Sequence, residues 1–244
     1  MTTLFISDLH LDTGHIALRD QCLEFLRTEA SQADALYILG DLFEAWIGDD
    51  DPDSEKHGVI NALRVLTRER HVPCYFMRGN RDFLAGDVFG ARTGCTLLDD
   101  PTVVEIYGQS VLLMHGDTLC TDDVDYQEFR ALVRDPMWQQ NFLAMSLEHR
   151  QAMAGKARDA SRAQTAGKSA EIIDVNQESV IKAMETHEVR TLIHGHTHRP
   201  GIHEFQIENM KVRRIVLGDW HEHGSVLRWS TGGLELATLP RLDA

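Results

Sequence analysis

The chain has 244 residues, 43% of them hydrophobic and 25% charged, with 38 acidic against 24 basic side chains and a formal net charge of −14. That composition is ample for one sizeable core and excludes disordered and collagen-like chains. The negative field also opposes phosphate backbones, which attract basic proteins, so no nucleic-acid partner is expected. Cys22, Cys74, Cys95 and Cys120 are widely separated and form no CxxC pair. This spacing suggests neither a zinc ribbon nor a disulfide framework, and fits a reducing compartment. No basic stretch precedes an apolar one at the N-terminus, and no run of about 18 apolar residues occurs. Neither a secretory signal nor a membrane span is expected; peripheral contact with a membrane stays open.

In chain order, short apolar runs at Leu4 to Ser7, Ala35 to Leu39, Cys74 to Met77, Val111 to His115 and Thr191 to His194 read as buried strands, each ending in turn-forming residues. Helical spacing lies between them, at Ile16 to Ala30 and Val59 to Arg70. Such alternation predicts an α/β layered fold. From about Tyr126 to Met184 no strand is evident, and the Trp138, Phe142, Met145 group and the Ala-rich Ala152 to Ala170 predict a helical insertion or lid on a single domain spanning residues 1–244. Residues 149–168 hold Arg150, Lys156, Arg158, Arg162 and Lys168 against Asp159 alone, a local balance of +4. A solvated helix face and an anion-contacting cap both fit that run. After Pro200, segments around His203 to Ile207, Val212 to Leu217, Ser225 to Trp229 and Leu234 to Thr238 predict a second, mostly antiparallel sheet.

The strand ends carry the chemistry: Asp8-Leu9-His10, Gly40-Asp41, Gly79-Asn80-Arg81-Asp82, His115-Gly116-Asp117 and Gly195-His196-Thr197-His198. Ligands of open α/β sheets collect at the carboxyl ends of strands, so these five segments are expected to converge. Carboxylate, imidazole and amide donors together suit Mn²⁺, Zn²⁺ or Fe better than an all-oxygen Ca²⁺ or Mg²⁺ cage. Residues two apart on an extended strand share a face, which would let Asp8 with His10, and His196 with His198, grip one ion. Asp41 has two oxygens, and one carboxylate can bridge cations about 3.5–4 Å apart. Each motif alone is weak, since Gly-Asp pairs and single Asn residues are usually turns; their joint occurrence in this order is specific. His194 is expected to be a hydrogen-bonded histidine of the core or behind the donors, not itself a donor, and Asp82 and Asp117 to support the donors or to serve the fold.

This set of motifs resembles the calcineurin-like metallophosphoesterases, over nearly the whole chain. The resemblance implies an α/β fold, a two-sheet sandwich flanked by helices with a helical lid insertion, and a dinuclear centre at the sandwich edge. It places one metal on Asp8, His10, Asp41 and His198 and the other on Asp41, Asn80, His115 and His196, with two Mn²⁺ per chain and with Asn80, Arg81 and His115 as catalytic residues. Many members carry histidine directly after the Asn, where it can protonate an alkoxide. Here Arg81 stands there; arginine keeps its proton, so the residue leans toward cleavage of a pyrophosphate, whose leaving phosphate needs none.

The run from Gly40 to Asp50, with His115 to Asp122 and Ile193 to Pro200, is similar to the branch that cleaves UDP-2,3-diacylglucosamine. That resemblance implies hydrolysis at the α-phosphorus to UMP and 2,3-diacylglucosamine 1-phosphate (lipid X) in lipid A biosynthesis. It also implies a peripheral location on the cytoplasmic face of the inner membrane, and no obligatory protein partner. Substrate contacts would fall on Asn80, Arg81, Asp123, Ser161, Thr165, Lys168 and His196; some relatives have Asn where Thr165 stands, so a hydroxyl must serve. Trp138, Phe142, Leu143 and Met145 would supply an apolar trough, or else pack the insertion onto the body. Two other readings share the fold: a nucleotide phosphodiesterase or phosphatase, and a non-catalytic binding scaffold. A scaffold of that kind is expected to have lost metal ligands, and all seven donors are present.

Overall fold

The computed structural model describes residues 1–12, 14–52, 54–166, 172–221 and 223–240, without the side chains of residues 54, 55 and 162–166. Eleven strands in it form two sheets. The first has the order β11 (Gly233–Leu239), β10 (Gly224–Ser230), β1 (Thr2–Ile6), β2 (Ala35–Leu39), β3 (Cys74–Met77), β4 (Thr96–Leu98). The second runs β5 (Thr102–Ile106), β6 (Gln109–Met114), β7 (Thr191–His194), β9 (Met210–Val216), β8 (Gly201–Ile207). β1 to β4 pair in parallel, as do β6, β7 and β9.

Side-chain alternation explains the layering. Phe5, Leu39 and Met77 of the first sheet meet Leu113, Ile193 and Ile215 of the second in one fully buried cluster between the sheets. The opposite faces are buried as well. Leu4, Ile6, Leu36 and Ile38 pack against α1 (Ile16–Arg27) and α2 (Ser54–Arg68), while Leu112, Met114 and Leu192 pack against Val180 and Met184 of α7 (Gln177–Thr186). Burial on both faces is why these strands read as unbroken apolar runs. Each such side chain contributes about 1.5–3 kcal/mol of transfer free energy.

α3 (Asp87–Thr93), β4 and β5 went unread in the sequence, because α3 has only seven residues, β4 only three, and β5 lies half exposed at an edge instead of forming a buried apolar run. The C-terminal segments correct an expectation: they form no sheet of their own. The β8–β9 hairpin joins the second sheet through β7, and the β10–β11 hairpin joins the first, antiparallel to β1. Spacing of apolar residues gives strands but not their partners. The crossing between the hairpins carries the fully buried Trp220, whose backbone N–H donates to the Asp8 carbonyl at 3.2 Å. Between β6 and β7 come α4 (Val124–Arg134), α5 (Pro136–Leu143), α6 (Leu147–Ala166) and α7, with Asp123, Asp135 and Asn176 capping the N-termini of α4, α5 and α7. No helix among the described residues is long and apolar enough to cross a membrane.

Candidate metal centre

The carboxyl ends of β1, β2, β3, β6 and β7 converge on one cleft. His10 Nε2 lies 4.0 Å from Asp8 Oδ1 and 3.9 Å from Asp41 Oδ2, and His198 Nε2 lies 3.4 Å from Asp8 Oδ1. On the other side of Asp41, its Oδ1 stands 3.8 Å from His115 Nε2. The Asn80 amide oxygen faces both His115 Nε2 and His196 Nδ1 at 2.9 Å. Asp41 therefore turns one oxygen toward each half of the cluster, and all seven residues singled out in the sequence meet here. Within it, Asp8–His10–His198 and Asp8–Asp41–His115 bring their donor atoms within 4.8 Å of one another.

The backbone achieves this differently from the extended strand expected. β1 stops at Ile6, and Asp8 and His10 have φ of 57° and 50°. Nine described non-glycine residues have positive φ, and five of them are Asp8, His10, Asp41, His196 and His198. Left-handed backbone costs of order 1 kcal/mol per residue and is retained where a site demands it. Asp and His tolerate that region better than most residues. Gly79 is a spatial necessity, since a Cβ there would fall on the Asp41 carboxylate.

Supporting residues hold the donors in place. Asp82 accepts backbone N–H groups of Leu42 at 2.7 Å and Gly79 at 2.8 Å, tying the β2 and β3 turns together. His115 Nδ1 donates to the Leu39 carbonyl at 2.9 Å, which fixes the ring and aims Nε2 into the cluster. Glu44 buttresses His10 Nδ1 at 3.0 Å and Asp219 stands 3.5 Å from His198 Nδ1; neither was read from sequence. Glu44 lies three residues past Asp41, a separation that the strand-end reading had no reason to inspect. His194, buried and bonded to the Gly195 carbonyl, and Asp117, which accepts from the Tyr126 hydroxyl and Arg130, occupy the supporting places expected of them.

Electrostatically the cleft is a well for cations. Burial opposes protonation of His115, yet Asp41, Asp117 and Asp8 outweigh it and push the imidazole up to about 9. Burial works against the Asp8 carboxylate too, but His198, His115 and His10 hold it well below the usual range. Asp8 Oδ1 is buried without a hydrogen-bond partner, and the His10 and His198 Nε2 atoms face each other at 3.2 Å. An unpartnered carboxylate oxygen beside two inward imidazole nitrogens fits a cation between them.

A cavity of about 290 Å³ opens beside this cluster, running from Asn80 and Arg81 past Trp46 and Phe83 to Trp138 and Phe142. Tyr126, Phe129, Arg130, Val133 and Arg134 line its α4 side. Their spacing of three and four marks one helix face, a legible signal that the strand-end reading left unused. Arg158 and Ser161 of α6 line it as well, and the Nε atoms of Arg81 and Arg158 are buried without partners. Trp138 and Phe142 stack at 5.0 Å, packed against the main core. Asp123 is the N-cap of α4 and does not line the cavity; the Thr165 side chain and Lys168 lie outside the described residues. Arg150 is turned inward: it is 2% exposed and pairs with Asp50 at 2.6 Å. The +4 stretch is thus not one anion-facing surface.

The profile of the calcineurin-like phosphoesterases matches residues 1–200. The chain belongs to the calcineurin-like phosphoesterase family. Among curated relatives, a "UDP-2,3-diacylglucosamine hydrolase" of Stenotrophomonas maltophilia is 53% identical, over 99% of this chain and 100% of its own length. Proteins of the same name from an Enterobacter species and from Escherichia coli are 51% and 50% identical, each over 98% of this chain and all of their own length. Among solved structures, an archaeal phosphodiesterase aligns with a TM-score of 0.50 at 14% identity, covering 98% of this chain and all of that one, a likeness of fold. Family membership and the donor set together support a divalent metal in the cleft.

Proposed function

We propose that this calcineurin-like phosphoesterase hydrolyses the pyrophosphate bond of UDP-2,3-diacylglucosamine at the α-phosphorus, giving UMP and 2,3-diacylglucosamine 1-phosphate, a step of lipid A biosynthesis. The carrying observation is the cavity: it joins the donor cluster at Asn80 to an apolar wall at Trp138 and Phe142, with two partnerless arginine Nε groups between. A phosphate flanked by acyl chains needs that combination, and the full-length likeness to hydrolases of that name supports it.

One Mn²⁺ would sit on Asp8, His10, Asp41 and His198 and a second on Asp41, Asn80, His115 and His196. When bound, the pair supplies Lewis acidity to phosphorus and water. The protein does the rest. Arg81 and Arg158 hold phosphoryl oxygens by charge-assisted hydrogen bonds without giving up a proton. The leaving phosphate, with a second pKa near 6, needs no acid. Asn80, His196, Ser161, Thr165 and Lys168 complete the substrate contacts, and Asp123, which caps α4 outside the cavity lining, would touch only a part of the substrate that extends beyond the cavity.

Residues 126–184 act as a lid on one domain of residues 1–244, and acyl chains against it orient the diphosphate so that the lipid phosphate departs away from the donors. Phe129, Leu132 and Met137 are exposed on α4 and α5, which suits peripheral attachment to the cytoplasmic face of the inner membrane, where a diacyl substrate resides. Turnover of UDP-2,3-diacylglucosamine, compared with bis-p-nitrophenyl phosphate, tests the substrate. Hydrolysis in ¹⁸O-water tests the pose: label is expected in UMP, and label in the lipid phosphate would reverse it.

A further inference from the structure

His196 sits at the centre of a tight turn. The Thr197 N–H reaches back to the Gly195 carbonyl at 2.8 Å while His196 has φ of 66°. A three-residue turn of positive φ is rare and strained. What steadies it is a second donor on the same carbonyl, His194 Nδ1 at 2.9 Å. A carbonyl oxygen only accepts, so Nδ1 must carry a proton, and in the neutral ring Nε2 is then bare.

The bare nitrogen meets Arg214 of β9, whose NH1 lies 3.3 Å from His194 Nε2. A guanidinium has donors alone, and this one is 8% exposed, with its Nε unpartnered. Both contacts of the ring therefore demand the same tautomer. His194 is fully buried and wedged between two donor turns: a Cβ on Gly116, where φ is 117°, would come within 2.8 Å of His194 Nδ1. Across the wedge, the Gly195 N–H donates to the His115 carbonyl at 2.8 Å and the His196 N–H to Asp8 Oδ2 at 2.9 Å.

We infer that Arg214 is a positioning residue that acts through the tautomer of His194 to hold the His196 turn and, by its N–H, the Asp8 carboxylate. With no donor at residue 214, the ring is free to protonate at Nε2. A lone pair on Nδ1 would then face the Gly195 carbonyl, and the turn would lose its second support. This inference rests on the proposed metal role of His196, but the tautomer itself can be read without metal.

The test is long-range ¹H–¹⁵N correlation on metal-free, ¹⁵N-histidine-labelled protein, paired with calorimetric titration of Mn²⁺. Wild type is expected to show His194 protonated at Nδ1. Arg214→Met is expected to move the proton to Nε2, wholly or in part, and to weaken Mn²⁺ binding about tenfold, as outer hydrogen-bond partners of ligands do. Arg214→Lys keeps a donor and is expected to retain the Nδ1–H form and most of the affinity. A wild-type ring protonated at Nε2, or an Arg214→Met protein with unchanged tautomer and affinity, overturns the inference. So does a loss of affinity in both variants with the ring still protonated at Nδ1. If Arg214→Met does not fold, the wild-type and Arg214→Lys tautomers decide. A tautomer that responds as expected in a protein that binds no Mn²⁺ would sink the metal assignment and leave the Arg214–His194 link standing.

Discussion

Arg81 ties two jobs together in one residue. Its backbone N–H donates to Asp41 Oδ1 at 2.7 Å and its carbonyl accepts from the Trp46 N–H at 3.0 Å, while its side chain lines the cavity. The backbone part survives any substitution that keeps the fold; the planar fork does not. Arg81→Lys is therefore expected to keep metal affinity and lower kcat/KM by about tenfold to a hundredfold, since a bidentate charged contact is worth about 1.5–3 kcal/mol. Its pH–rate profile is expected to keep the wild-type shape, because neither side chain gives up a proton to the leaving phosphate. A new limb in that profile with Arg81→Lys would mean that residue 81 takes part in proton transfer.

Helix α6 is held to the body by Arg150, which donates to the Ile47 carbonyl at 2.7 Å and to both oxygens of Asp50. The hydrogen bonds from Arg150 are the main cause of a lowered Asp50 pKa. A carboxylate with a depressed folded pKa stabilises above its unfolded value, near 3.9, and loses that contribution as pH falls through the folded one. The clamp is thus expected to be constant from about pH 5 to pH 9 and to weaken only below about pH 4. Arg150→Met leaves the Ile47 carbonyl unpaired, a loss of about 1–3 kcal/mol. Hydrogen exchange in α6 is expected to quicken by a comparable factor at pH 7; protection equal to wild type would show that α6 is held elsewhere.

Arg150 also shows where sequence reading stops. Charge counting put it in a basic stretch, but rotation about the helix axis decides which members face a ligand, and that depends on what α6 packs against. The donors were legible because Asp8, Asp41, Asn80, His115 and His196 each follow a buried apolar run, and burial of parallel strands leaves its mark in composition. Their positive φ was not, since Asp-x-His reads the same in extended and left-handed backbone. Pairing of β8–β9 and β10–β11 with different sheets was equally invisible, being decided by contacts across the chain, such as Thr2 with Ser230.

The whole molecule gathers Asp8, Asp41, Asp82 and Asp117, all buried, at one end of the sandwich of a chain whose net charge is −14. Uncompensated, those carboxylates destabilise the fold by repulsion and desolvation; His10, His115 and His198 offset part of this by drawing protons, and cations would offset more. Binding to the native state alone stabilises it by RT ln(1 + [L]/Kd), about 2.7 kcal/mol at a hundredfold excess over Kd. In a chain of this size each kcal/mol moves Tm by about 2–4 °C, so saturating Mn²⁺ is expected to raise Tm by roughly 5–10 °C, and chelation to return it. Asp41→Ala separates the contributions. It removes one of four crowded carboxylates but also the acceptor of the Arg81 N–H and a counter-charge of His115, so the metal-free variant is expected to melt a few degrees below wild type. It also removes the carboxylate proposed to bridge both ions, so the Mn²⁺ increment is expected to shrink to a small fraction and turnover to fall by orders of magnitude. Scanning calorimetry of both proteins with and without Mn²⁺ reads all four states, and an undiminished increment in Asp41→Ala would remove Asp41 from the metal site.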